Sequence, residues 1–155
     1  MSWAGVLTTI ETHLATAAAT VNALDAGKDP FRVRRGEPTS LMSRQVAYWY
    51  EGDQASRTGG MTLGKNNIEE KVTIRWYWPV LNRDDTWTAA LEVQLQAANR
   101  ATQGPLLGDV TLGGNSIALF LGDTATGWQS VGEAWVRVLT IPLFVDQAWT
   151  EDVAL

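Results

Sequence analysis

Residues 68–80, IEEKVTIRWYWPV, carry apolar side chains at every even position except Glu70, and mostly polar side chains at odd positions. A period of two in β-branched and aromatic residues predicts a strand with one buried and one wetter face. Pro79 lacks the N–H that a sheet ladder needs and marks the end or an edge of this strand. We therefore expect the other elements to pack on this strand or to pair with it.

Three elements are predicted on its N-terminal side. Residues 2–24 repeat apolar side chains every three or four positions, which predicts an amphipathic helix, with His13 off its apolar stripe and facing solvent. Residues 31–35 predict a short strand that places Arg32 and Arg34 on one face. Residues 45–50, QVAYWY, are rich in β-forming residues and predict a second strand.

Residues 51–66, EGDQASRTGGMTLGKN, connect that second strand to the central one. Sixteen residues exceed the needs of a tight hairpin, and the four glycines of this stretch favour mobility. Met61 and Leu63 are apolar residues with no obvious core to enter. We interpret this stretch as a long hairpin loop that is disordered in the free monomer and orders against a partner. The alternative is a connection that is merely flexible.

On the C-terminal side, residues 84–103 predict a second helix that Gly104 and Pro105 stop. Residues 109–112 and 116–121 predict short strands, 122–127 a turn, and 134–145 a long buried strand with a bend or bulge at Pro142. Residues 146–155 are expected to fray or to bind a partner. This order predicts one α+β domain over residues 1–155, in which two helices pack on one face of a mainly antiparallel sheet.

Composition and charge restrict the class of protein. The chain has 155 residues, 45% of them hydrophobic, no cysteine, no apolar run long enough for a membrane span and no secretory signal pattern. These features predict a soluble domain that folds in a reducing cytoplasm, without membrane contact. Residues 1–83 hold ten Lys/Arg against eight Asp/Glu, whereas residues 84–155 hold two against nine. The acidic half disfavours phosphate binding. The asymmetry between the halves favours head-to-tail contacts between copies, although an unevenly charged solvated surface is the alternative.

The sequence offers little for catalysis. A single histidine and no cysteine remove the usual nucleophile–base pairs and most transition-metal sites. The paired carboxylates are adjacent in sequence, so the two members of each pair point in different directions. There is no phosphate-binding glycine motif. We therefore expect no enzyme, no cofactor and no metal site.

Eight tryptophans are the most unusual feature of the composition. Four of them fall on stripes assigned to the core: Trp3, Trp76, Trp78 and Trp87. Trp49, Trp128 and Trp149 are available for an interface, where tryptophan is a favoured anchor. The competing interpretation is a stacking platform for sugars or bases.

The order of elements resembles that of the tail terminator proteins of long-tailed bacteriophages. The resemblance spans nearly the whole chain and includes TIETHLATAAATVNAL, residues 9–24, followed by FRVRRGEP, residues 31–38. It implies a structural virion protein, assembled in the host cytoplasm and located at the head–tail junction. Such a protein forms a hexameric ring that caps the tail tube, stops its elongation and joins the tail to the head connector.

The implied partners are further copies of the chain, the tail tube protein and a head-side connector or stopper protein, while DNA passes through the lumen without specific binding. The candidate residues of the self-assembly interface are Arg57, Met61, Leu63, Lys65, Arg32 and Arg34. Two alternatives stay open: another head–tail connector or head-closure protein, and a tryptophan-rich carbohydrate-binding module. A nucleic-acid binder ranks third, because the acidic balance opposes it.

Overall fold

The computed structural model describes the backbone of residues 3–24, 29–41, 43–51, 56–62, 65–79, 85–116 and 118–150. It describes side chains within residues 3–24, 29–41, 43–51, 70–79, 90–116 and 118–146. The elements follow one another as α1 (Trp3–Leu24), β1 (Arg32–Arg35), β2 (Gln45–Tyr50), β3 (Ser56–Thr62), β4 (Lys65–Pro79), α2 (Asp85–Leu107), β5 (Ala118–Leu121), β6 (Ala125–Val131) and β7 (Ala134–Thr150).

The seven strands form one sheet in the order β1-β2-β4-β7-β5, with β3 also paired to β4 and β6 also paired to β7. Every pairing is antiparallel except that of β1 with β2. The strand predicted at the centre is β4, and it pairs with β7 along its whole length, from Lys65↔Thr150 to Pro79↔Val136. The expected α+β class, with a mainly antiparallel sheet and two helices packed against it, is confirmed.

The main core lies between the helices and one face of the sheet, here called the helix face. The even-numbered apolar residues of β4 point into it, because neighbours along a strand alternate between faces. Trp76 and Trp78 are almost fully buried there, and the Phe31 ring meets both edge-on at centroid distances of 5.1 and 5.0 Å. The predicted apolar stripe of α1 supplies Ile10, Leu14, Ala17 and Val21 to this core, and Val6, which lies outside that predicted stripe, is buried with them.

A second, smaller core covers part of the opposite face of the sheet. Its buried members are Leu41, Ala47, Tyr77, Val131, Val136 and Val138. Leu41 lies in the nine-residue connection 36–44 that carries the chain from β1 to its parallel neighbour β2. This connection also reaches the β6–β7 turn, where a Cβ added at Gly132 would lie 3.3 Å from the Thr39 carbonyl oxygen.

The second helix differs from its prediction, because α2 continues through Gly104 and Pro105 to Leu107. A proline inside a helix removes its own N–H from the ladder and crowds the carbonyl four residues earlier. Pro105 lies in the last turn, where only two helical residues follow it. The next amides keep their bonds, with the Gly108 N–H donating to the Gly104 carbonyl at 3.1 Å. Leu106 is fully buried in the main core, and its burial favours the extra turn.

Three details of the C-terminal part are also corrected. Residues 109–112 form turns and not a strand, because Leu112 has a φ of 48° and a strand requires negative φ. The stretch 122–127 is only partly a turn, since β6 begins at Ala125. The register of β7 with β4 passes through Pro142 without a bulge, and the Pro142 carbonyl accepts a hydrogen bond from the Gly122 N–H at 2.9 Å.

The predicted loop 51–66 contains a regular strand in the structure. Its residues 56–62 are β3, which runs antiparallel to β4 from Ser56↔Glu69 to Thr62↔Lys65, with one irregularity between Thr58 and Thr62. The physical reason is an open edge: β2 pairs with β4 only as far as Tyr50↔Val72, and the backbone groups of β4 beyond that point need partners. Leu63 lies outside the described residues.

Candidate assembly site

Three strands pair with one another at the end of the sheet beyond the last β2–β4 pair, Tyr50↔Val72. They are β3, residues 65–69 of β4 and residues 146–150 of β7, and we call this unit the arm. Helix α1 packs on α2, β1 and β2, whereas α2 packs on α1, β5 and β7. Within the arm, the backbones of β3 and β7 pair with β4 on its two sides.

The structure divides the six predicted interface residues between two distant places. Met61, Arg57 and Lys65 lie on the strands of the arm. Arg32 and Arg34 are exposed on β1, an edge strand of the sheet, which we call the basic edge.

Register gives the separation of the two groups along the sheet. Arg34 aligns through Ala47 with Arg75 of β4, whereas Arg57 aligns with Ile68. Seven positions of β4 separate those two levels, or about 23 Å at about 3.3 Å per residue. The two groups therefore do not form a single patch within one chain.

A pair of exposed tryptophans lies on β6 and β7, at the edge of the sheet opposite to β1. The Trp128 and Trp135 rings are parallel within 7° at a centroid distance of 6.0 Å, and the residues are 37% and 43% exposed. The Arg137 guanidinium lies 5.4 Å from the centroid of the Trp128 ring, and its Nη2 lies 3.4 Å from Oε1 of Glu92 on α2. We call Trp128, Trp135 and Arg137 the aromatic edge.

Local sequence explains why these side chains meet. The two residues between β6 and β7, Gly132 and Glu133, form a tight turn in which Gly132 has a φ of 60°. This turn pairs Ser130 with Trp135 and Trp128 with Arg137, so that all of these residues share one face. Trp128 was predicted to be available for an interface, but Trp135 was missed. The glycine turn between two β-rich stretches was the signal for it.

The other two tryptophans predicted for an interface are placed differently. Trp49 is half-buried on the face opposite the helices, where the Arg75 guanidinium lies 5.2 Å from its ring centroid. Arg75 also reaches Glu37 at 3.7 Å and donates to the Thr140 hydroxyl at 3.1 Å. Trp149 lies in β7, in a part of the strand described by its backbone alone.

His13 is only partly exposed and contacts another element, in contrast to its predicted solvent-facing position. Its Nε2 lies 2.9 Å from Oδ2 of Asp109, which follows α2, and both side chains are partly buried. The hydrogen bond from His13, together with one from the Gly113 N–H at 3.0 Å, lowers the pKa of the Asp109 carboxyl below its ordinary value. The pair thereby joins the exposed side of α1 to the end of α2.

This lowered pKa makes the stability of the protein depend on pH. A carboxyl whose pKa is lower in the folded state stabilises the fold above its unfolded pKa, and this contribution disappears as the pH falls through the folded pKa. We expect Asp109→Asn to unfold more easily than the unmodified protein at pH 6, by about 0.5–1 kcal/mol for a partly exposed pair. Urea unfolding between pH 6 and pH 2.5 checks this, and a difference that persists at the acid end contradicts it.

Two general features restrict the chemistry of the described residues. No group of three or more histidine, aspartate or glutamate side chains comes together among them in a way that would hold a metal ion. None of the described helices combines the length and apolar character needed to cross a membrane.

Comparison with known proteins adds no family to this description. No protein-family model matches the chain. No curated protein matches it at a significant level.

Proposed function

We propose that this chain is a structural virion protein of the tail terminator type. Copies of it form a homo-oligomeric, hexameric ring that caps the tail tube, stops tube elongation and joins the tail to the head-side connector. The ring assembles in the host cytoplasm and resides at the head–tail junction of the virion. Its partners are further copies of the chain, the tail tube protein and the connector, and its action is binding without turnover.

The arm is the observation that carries this proposal. It extends β4 and β7 beyond the last β2–β4 pair and adds β3 to them. A three-stranded end of a sheet suits a contact with a neighbouring copy. Its Arg57 and Lys65 carry the charge opposite to that of residues 84–155, where two Lys/Arg face nine Asp/Glu. Opposite charges on different parts of one chain favour head-to-tail association, which gives a ring when the rotation between copies closes.

The acidic half supports a passage for DNA in the same proposal. Negative charge along a lumen repels the phosphate backbone, so a duplex moves through without adhering. Specific base recognition requires clustered cations and base-edge contacts, and the acidic balance disfavours both. Reversing exposed acidic residues of this half to lysine is therefore expected to retard DNA ejection from the particle.

The growth of the tail tube tests the proposal directly. Purified tail tube protein is polymerised with the full chain, and tube lengths and tube ends are recorded by electron microscopy. We expect the unmodified chain to shorten the tubes and to leave a ring at their ends. Arg57→Glu, which reverses a charge on the arm, is expected to lose this effect because ring contacts weaken.

Arg100→Glu is the matched control, since it makes the same charge change at an exposed position of α2. Circular dichroism establishes that both variants are folded. Tubes that keep growing in the presence of the unmodified chain, with no ring at their ends, would refute the proposal.

A carbohydrate-binding module is the second candidate, and the parallel, exposed rings of Trp128 and Trp135 favour it. Sugars stack their apolar faces on such rings. A carbohydrate-binding module is expected to stay monomeric in the presence of tail tubes. Its tryptophan fluorescence is expected to change when maltohexaose is added. A ring-forming protein shows the reverse combination, so light scattering and fluorescence together separate the two functions.

A further inference from the structure

We infer that the aromatic edge receives arginine side chains from the basic edge of a neighbouring copy of this chain. This inference rests on the proposed ring and specifies one of its contacts. In this contact, Trp128 and Trp135 with the acidic residue beside them, at one edge of the sheet, meet Arg32 and Arg34 of β1 at the opposite edge of the sheet of the next copy. The occupant of the tryptophan surface is thus a second copy, and the chemistry is guanidinium stacking on indole rings.

The chain already contains one example of this chemistry. The Arg137 guanidinium stands over the Trp128 ring at 5.4 Å, and Glu92 holds it there. The second ring, Trp135, lies parallel to the first and is 43% exposed. An indole face attracts cations through its quadrupole, and arginine stacks on it more readily than other cationic side chains.

Charge around the aromatic edge selects a cation over other ligands. Glu133 occupies the turn beside Trp135 and is exposed. Its carboxylate repels phosphates, which opposes a nucleic acid at this surface. A sugar hydroxyl can donate a neutral hydrogen bond to this carboxylate, whereas an arginine gains the ring face and a charge-assisted bond, which is the stronger of the two.

The basic edge has the complementary properties. Arg32 and Arg34 are exposed, and neither has an ion-pair partner among the described residues. Arg35, in contrast, is engaged by the Tyr48 hydroxyl and by Glu11 of α1. Two arginines without such partners on an edge strand provide a ready cationic contact for another chain.

Sheet order places these two surfaces where a ring requires them. β1 is one end of the order β1-β2-β4-β7, and β6 pairs with β7 beyond its other end. A contact between two different surfaces of one chain can be repeated from copy to copy, and it gives a ring when the rotation between copies closes.

The absence of cysteine from the sequence allows a clean cross-linking test. Arg32→Cys and Ser130→Cys are prepared as separate full-length variants, mixed in equal amounts and oxidised. Arg32→Cys retains Arg34 for binding, and Ser130 is exposed next to Trp135 across the strand pair. We expect mixed dimers in the mixture, few dimers in either variant alone, and a ladder of multimers from the double variant.

Removal of one ring identifies the chemistry of the contact. Adding Trp135→Ala to Ser130→Cys is expected to reduce the mixed dimer about tenfold, as loss of an interface anchor does. Leu107→Ala is the matched control, because Leu107 is an exposed apolar residue at the far end of α2. Circular dichroism verifies the fold of each variant.

The outcomes separate this inference from the proposed function. A mixture that yields no more dimer than its components, or a yield unchanged by Trp135→Ala, overturns the inference. Binding of maltohexaose to this surface, when the mixture without sugar yields no mixed dimer, also overturns it and assigns the surface to a sugar. If rings still cap tube ends in those cases, the proposed function survives without this contact. Mixed dimers without rings on tubes would support the contact and refute the function.

Discussion

Trp76→Ala is expected to lower the free energy of unfolding by about 3–5 kcal/mol, the range observed for large-to-small substitutions of buried tryptophan. Trp76 is fully buried on the helix face and stacks beside Trp78 at 6.1 Å. Its indole N–H donates to the Thr102 hydroxyl of α2 at 3.0 Å, and that hydroxyl donates in turn to the Ala98 carbonyl at 2.7 Å. Alanine leaves a cavity and removes the first of these two hydrogen bonds. A domain of this size is stable by only about 5–15 kcal/mol, so much of the margin disappears.

Urea unfolding followed by far-ultraviolet circular dichroism measures this effect. Trp76→Phe is the control, because it keeps most of the buried area and removes the hydrogen bond to Thr102. Its expected loss is smaller, about 1–2 kcal/mol. A change below about 1 kcal/mol for the alanine variant would show that this ring does not organise the core.

Gly122→Ala is expected to destabilise the protein by about 1–3 kcal/mol through overpacking. A Cβ at this position would lie 2.8 Å from Cγ of Pro142 and 2.9 Å from Cε2 of Phe144. The proline ring cannot rotate away, and the Gly122 N–H is bonded to the Pro142 carbonyl at 2.9 Å. The added methyl group therefore forces β5 away from β7.

Gly127→Ala is expected to have the opposite effect on stability. Gly127 lies in β6, and a Cβ added there has no heavy atom within 4 Å. Alanine loses less backbone entropy than glycine on folding, so stability is expected to rise by up to about 1 kcal/mol. Thermal unfolding of both variants decides the matter: equal effects at the two positions would contradict the steric explanation.

Period and composition predicted much of the fold. β2 was predicted with its observed bounds, and α1 and β4 within three residues at each end. These elements carry strong local signals: a two-residue period in β-formers, or an apolar stripe of helical spacing. Their partners within the sheet are set by burial of the same stripes, which is why the α+β class followed from the sequence.

Other features depend on contacts that no local pattern encodes. SRTGGMT, the sequence of β3, contains two glycines, and it forms a strand because β4 offers an open edge. The extra turn of α2 depends on burial of Leu106 against the core. His13 meets Asp109 across 96 residues of sequence. In each case a tertiary contact outweighs local propensity.

The candidate assembly site likewise combines features that the local sequence predicts with features that only tertiary contacts determine. Arg32 and Arg34 were proposed by residue type and by their place on a strand, and Trp128 as a tryptophan outside the stripes assigned to the core. Only the register could show that Arg57 and Arg34 lie at different levels of the sheet, or that Trp135 joins Trp128. Sequence patterns therefore proposed candidate side chains, and the strand order and register show which of them lie together.

The long β4–β7 pairing also fixes when the protein can fold during synthesis. β4 emerges from the ribosome well before residues 134–150, which supply its partner. Until then the tryptophans of β4 lack the neighbouring strand, and pairings of such long range form slowly. The nascent chain therefore exposes an apolar, unpaired strand edge throughout the translation of α2, β5 and β6, and this interval is its period of greatest risk of aggregation and of greatest need for chaperones.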